Sequence, residues 1–149
     1  MINLSNAIAT VCGIGYIKKG AGTAASVAFC FAWYFIPALP LWVKLLSLVI
    51  ILSLGVWSGN KMEKIWGKDS NKIVIDEVAG MMLVLIFIPT KQIFILVALV
   101  LFRFFDIAKP FGIKKAELLP GGWGVMADDV VAGIYSLIII RIGIILNFI

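Results

Sequence analysis

"TAASVAFCFAWYFIPALPLWV", residues 23–43, contains no charged side chain. A helix needs about 20 residues to cross the hydrocarbon core of a bilayer, so this stretch is expected to be a membrane span. The whole chain points the same way. Of its 149 residues, 62% are hydrophobic, whereas soluble domains are about 45–50% apolar. So short a chain cannot hide that excess inside a globule, because small domains keep much of their surface exposed. Four further apolar runs follow, at 45–60, 73–89, 93–105 and 130–148. The expected architecture is all-α: a single domain, 1–149, forming a multi-pass helical membrane bundle of about five hydrophobic helices, some short or re-entrant.

The basic residues sit in the gaps between these runs. Under the positive-inside rule, Lys18 and Lys19, the connector with Lys61, Lys64, Lys68 and Lys72, and the connector with Arg103, Lys109, Lys114 and Lys115 share the cytoplasmic side. Lys44 and Lys91 mark the opposite turns, and Arg141 can snorkel near a helix end. This predicts two helical hairpins followed by one last crossing. A net charge of +5 spread in this pattern reads as membrane topology rather than as a nucleic-acid-binding face. Lys18 and Lys19 precede the first long run with no cleavage signal after it, so no signal peptide is expected.

Only eight residues are acidic, and four of them form two matching pairs. "VIDEVAG" (74–80) and "MADDVVAG" (126–133) each place an aspartate, Asp76 or Asp129, four residues before a glycine, Gly80 or Gly133. Glu77 and Asp128 stand beside them. With the predicted topology, both pairs and Asp106 fall at the same cytoplasmic level. An aspartate that opens a helix can simply cap free N–H groups, and that reading stays open for Asp128. Capping explains neither the doubled acids nor Asp106 at a helix C-terminus, and ionisable residues in membrane segments are by default functional. Clustered carboxylates without histidine or thiolate are hard oxygen ligands that suit Mg²⁺ or Mn²⁺. One acid of each pair can bind metal while the other orients a water or braces a cation. Gly80 and Gly133 lie one turn on, where small residues let membrane helices approach closely.

In "FRFFDIAKP" (102–110), Arg103 and Asp106 share a helical face, and Pro110 predicts a helix end near Lys109. Arg103 and Asp106 can form a simple internal ion pair, or Arg103 and Lys109 can hold phosphate oxygens beside a metal. "YIKKGAGTAAS" (16–26) brings glycines and lysines to a helix start, where backbone amides attract anions, although it is not a Walker loop. The chain has no histidine, which excludes imidazole bases and phospho-histidine. Cys12 and Cys30 form no metal-ligand spacing, and neither opens a Cys-x5-Arg phosphatase motif.

Four stretches, "GYIKKGAGTAAS", "VIDEVAGMM", "FRFFDIAKPFGIKKAE" and "GGWGVMADDVVAG", occur in the order and spacing of the bacterial phosphatidylglycerophosphatase A family, which the chain resembles from Gly15 to Gly133. The resemblance implies a small helical membrane phosphatase that uses Mg²⁺ to convert phosphatidylglycerophosphate into phosphatidylglycerol and phosphate. It implies the bacterial cytoplasmic membrane, with the site at the cytoplasmic side, the bilayer and a phospholipid substrate as partners, and no nucleic acid. On this reading Asp76, Glu77, Asp106 and Asp129 are catalytic. The same four with Asp128 bind metal, directly or through water, while Lys19, Thr23, Arg103 and Lys109 hold the substrate phosphate. Hydrolysis by water and an aspartyl-phosphate route both stay open. Ala21, Gly112 and Glu117 depart from the residues usual in the family, the first two replacing prolines and the third an aspartate. The rival from another class is a small acid-lined membrane cation transporter, which would spread its acids through the depth of the membrane.

Overall fold

The computed structural model describes residues 3–68, 70–110 and 112–148. Phe111, in the third of the four quoted stretches, lies outside them. The described residues form helices and loops and contain no strand: α1 (Leu4–Ala9), a single 3-10 turn (Ile14–Tyr16), α2 (Ala21–Phe35), α3 (Leu41–Trp66), α4 (Ile75–Ile86), α5 (Gln92–Ala108), α6 (Ile113–Ala116) and α7 (Gly122–Ile145). Five of these are long, in line with the expected number.

Residues 23–43 are not one span. α2 ends at Phe35, and Ile36 is extended at φ −71°, ψ 127°. Proline biases the residue before it toward that conformation, and Pro37 does so here. Pro40 then stands just ahead of the first turn of α3, where its missing N–H costs no helical hydrogen bond. Among the described residues, the one helix long and apolar enough to cross a bilayer is α3, at 26 residues. It includes Lys44, Lys61 and Lys64, which the sequence reading placed in connectors. A charge-free run shows where polarity changes, but not where the backbone turns.

The first two long helices follow each other through a short connector but do not pack as a tight pair. α2 and α3 barely touch, and each packs on α4 instead. α4 is apolar on all sides and buried on all sides, from Val78 through Leu85 with little relief, as expected of a central helix. Phe102 of α5, Met81 of α4 and Ile140 of α7 are fully buried around it. The most extensive packing is between α4 and α7, and it includes the two glycines singled out in the sequence. A Cβ on Gly133 would stand 2.8 Å from the Gly80 carbonyl oxygen, and one on Gly80 would stand 2.8 Å from the Asp129 carbonyl oxygen. Neither position has room for a side chain.

The long helices alternate in direction, so their ends sort into two groups. At one end Arg141 of α7 donates to the Phe87 carbonyl at 3.3 Å, and Lys44 and Thr90 meet around Pro37. The acids gather at the other end. Between the two ends, the outer surface exposes Phe31, Leu46, Val49, Val100 and Ile142. Only 17% of the most apolar stretch of α3 is buried within the protein. So broad an apolar exterior is foreign to a water-facing monomer.

Candidate active site

The acids reach one place because α4 and α7 run in the same direction and cross at their glycines. In each helix the aspartate lies one turn before the glycine, so contact at Gly80–Gly133 sets Asp76 and Glu77 beside Asp128 and Asp129. The two pairs do not hold equivalent helical positions. Asp76 and Glu77 are in the first turn of α4, and the Asp76 carboxylate accepts the Glu77 N–H at 3.0 Å. α7 begins at Gly122 rather than near residue 130, so Asp128 and Asp129 are its seventh and eighth residues and cap nothing. Both are buried, Asp129 to 2% exposure. The capping explanation for Asp128 is thereby removed.

α5 arrives from the opposite direction and supplies Arg103 and Asp106 near its end. Arg103 Nη1 forms an ion pair with Asp106 and lies 3.7 Å from Glu77 Oε1. Arg103 Nε has no hydrogen-bond partner, and neither does the buried Glu77 Oε2. Buried polar atoms are nearly always paired, so two orphans on facing side chains mark an arrangement open to a ligand.

α5 stops at Ala108, as Pro110 predicted, and Lys109 takes the left-handed conformation at φ 44°, ψ 50°. That reversal turns its ammonium inward, 2.8 Å from Asp128 Oδ2 and 3.2 Å from Glu117 Oε2. Burial alone would lower the Lys109 pKa, but the Asp128 and Glu117 carboxylates outweigh it and hold the ammonium above the usual lysine range. Lys109 is therefore a fixed positive charge.

These residues line a cavity of about 340 Å³. Its wall includes Asp76, Glu77, Asp106, Asp128 and Asp129, with Arg103 and Lys109. Carboxylate oxygens form two groups, Asp76–Glu77–Asp129 and Asp106–Asp128–Asp129, each with its members within 4.8 Å of one another. Asp129 belongs to both. The first turn of α2 closes another side through Ala21 and Gly22, and no side chain caps that helix. A Cβ on Gly22 would run into the Glu77 carboxylate, so glycine is what allows α2 to start against the acids.

Of the nine site residues read from the sequence, Lys19 and Thr23 are the two that do not line the cavity; both are exposed. Lys18 lines it instead, together with Ser70 and Asn71 of the loop before α4. Sequence reasoning missed these three. In an irregular segment no helical period tells which of two neighbouring lysines turns inward, and a polar loop residue looks like any other.

Residues 7–144 match the family model described as Phosphatidylglycerophosphatase A. The chain belongs to that family. With it the chain belongs to the phosphoric monoester hydrolases. Two proteins named phosphatidylglycerophosphatase A resemble it along most of its length. The Haemophilus influenzae protein is 37% identical over 94% of this chain and 88% of its own. The Escherichia coli protein is 36% identical over 91% of this chain and 81% of its own. A Bacteroides thetaiotaomicron protein with the provisional name phosphatidylinositol-3-phosphatase is 38% identical, over 91% of this chain and 90% of its own. No solved structure matches significantly. All four stretches that carried the resemblance fall within the matched residues, and all four contribute to the cavity wall.

Proposed function

We propose that this protein is a Mg²⁺-dependent phosphatase that hydrolyses the phosphomonoester of phosphatidylglycerophosphate, embedded in the bacterial cytoplasmic membrane as a multi-pass bundle with its cavity at the cytoplasmic side. The observation that carries this reading is the convergence of five carboxylates from three helices on a cavity also lined by Arg103 and Lys109. Family membership supports the reaction class, and the apolar exterior supports burial in lipid. The lysines cluster toward the cavity end, which supports the cytoplasmic assignment.

The residues fit a divalent cation. Every candidate donor is a carboxylate oxygen, the ligand class Mg²⁺ prefers, and Glu77 Oε2 has no competing partner. Asp76, Glu77 and Asp129 would hold one ion, with Asp106 and Asp128 completing the site through Asp129. Bound Mg²⁺ supplies Lewis acidity, which neutralises phosphate charge and makes a nucleophilic water available at neutral pH. The chain's own groups do the positioning. Asp106 braces Arg103 through Nη1, leaving the unpartnered Nε–H to meet a phosphate oxygen. Asp128 and Glu117 hold Lys109 as a second fixed cation. The uncapped start of α2 adds backbone N–H groups and the positive end of its dipole, both favourable to an anion. Lys18 replaces Lys19 as the lysine placed to approach the phosphate.

The transporter reading fares worse, because α4, α5 and α7 carry no acid in their halves away from the cavity. The choice of headgroup is open to direct test, since one relative carries a different lipid name. Purified protein in detergent is expected to release phosphate from phosphatidylglycerophosphate at least about tenfold faster than from phosphatidylinositol 3-phosphate, a preference of about 1.4 kcal/mol or more. Faster release from the inositol lipid, or release from neither, would reject the assignment.

A further inference from the structure

Next to the charged cavity, α2 and α5 enclose a second hollow of about 380 Å³, and its lining is apolar. On α2 it is lined by Val27, Cys30 and Phe31, and on α5 by Ile95, Leu96 and Leu99. At helical spacing each trio occupies one face. Continued toward the acids, the α5 face arrives at Arg103, Asp106 and Ile107, all in the wall of the charged cavity. The α2 face continues through Thr23 to the helix start, where Ala21 and Gly22 line that same cavity. The two hollows are therefore successive sections of one seam between the same two helices.

The seam is clamped at both ends. At the cavity end a Cβ on Gly22 would stand 3.1 Å from Arg103 Nη1. At the other end Gln92 Nε2 donates to the Tyr34 hydroxyl at 3.4 Å. From Gly22 to Tyr34 is about 18 Å at 1.5 Å per residue. That is close to the depth of one leaflet, about half of a 30 Å hydrocarbon core. Between the clamps the wall is open to the outside: Val27 is 46% exposed and Leu96 57%.

We infer that this seam is the track for one acyl chain of the lipid substrate, and that the substrate enters sideways from the leaflet between α2 and α5. The inference rests on the lipid phosphatase reading and extends it to the apolar part of the substrate. With the phosphate at Arg103, a chain running down the seam stays in hydrocarbon surroundings and never crosses the charged cavity. Thr23, which stands outside the cavity lining, then lies on the path between headgroup and chain, where its hydroxyl can face the glycerol ester region.

The test fills the seam. Val27→Trp and Leu99→Trp are compared with Ile50→Trp, an exposed site on α3 away from the seam. Each is assayed on long-chain phosphatidylglycerophosphate and on its dihexanoyl analogue. The seam variants should lose at least about tenfold in kcat/KM on the long-chain lipid, a change of about 1.4 kcal/mol, and keep wild-type rates on the dihexanoyl one, while Ile50→Trp keeps both. Unchanged long-chain rates in both seam variants, equal losses on the two substrates, or an equal loss in Ile50→Trp would each overturn the inference. A wild type inactive on both substrates would instead reject the underlying activity.

Discussion

Asp129→Asn is expected to lower phosphate release from phosphatidylglycerophosphate by about 10³-fold, at the upper end of what removing one preorganised electrostatic group costs. Asp129 is the residue that both carboxylate groups share. Loss of its charge weakens each of them at once, whereas loss of Asp106 or Asp76 touches one. Asparagine keeps the shape and an acceptor oxygen, so the fold should survive and thermal unfolding should move little. The same substitution should raise the Mg²⁺ concentration needed for half-maximal activity in whatever activity remains. Wild-type turnover by Asp129→Asn would remove Asp129 from the site altogether.

Gly133→Ala should be nearly as damaging although it touches no ligand. The added methyl would meet the Gly80 backbone carbonyl at 2.8 Å, and backbone cannot step aside as a flexible side chain can. α4 and α7 must then separate locally, at a cost of about 1–3 kcal/mol for overpacking. Moving the helices apart also moves Asp76 and Glu77 away from Asp128 and Asp129. A misplacement of about 1 Å can cost 10²-fold in rate. Both effects are measurable on one preparation, as a lowered unfolding temperature in detergent and a rate reduced by about 10²-fold. An unchanged unfolding temperature and rate would mean that the glycine contact does not set the site.

These two residues also show how much could be read in advance. In a chain so apolar, a carboxylate inside a hydrophobic run stands out, and the two Asp-x3-Gly patterns were visible without any structure. Their meeting was legible too, because alternating helices and the lysine pattern placed Asp76, Glu77, Asp106, Asp128 and Asp129 at one end. The physical reason for the repeated spacing, two parallel helices touching at Gly80 and Gly133, became clear only with the helices in place. Helix limits were less legible. Nothing in the charge pattern stops a helix at Phe35 or starts one at Gly122; the prolines at 37 and 40 carried the first signal, and charge-free length outweighed them. The contact of Gly22 with Glu77 joins segments far apart in sequence, and no local pattern announces it. The same holds for Lys18 over Lys19.

The carboxylate cluster is expected to hold an ion without which this lipid is not hydrolysed. The direct measurement is phosphate release from phosphatidylglycerophosphate by the purified wild-type protein, first with Mg²⁺, then with excess chelator, then with Mg²⁺ restored. Release should stop on chelation and recover on restoration. Release that continues undiminished in the chelator would contradict the assignment of Asp76, Glu77, Asp106, Asp128 and Asp129 as a metal site.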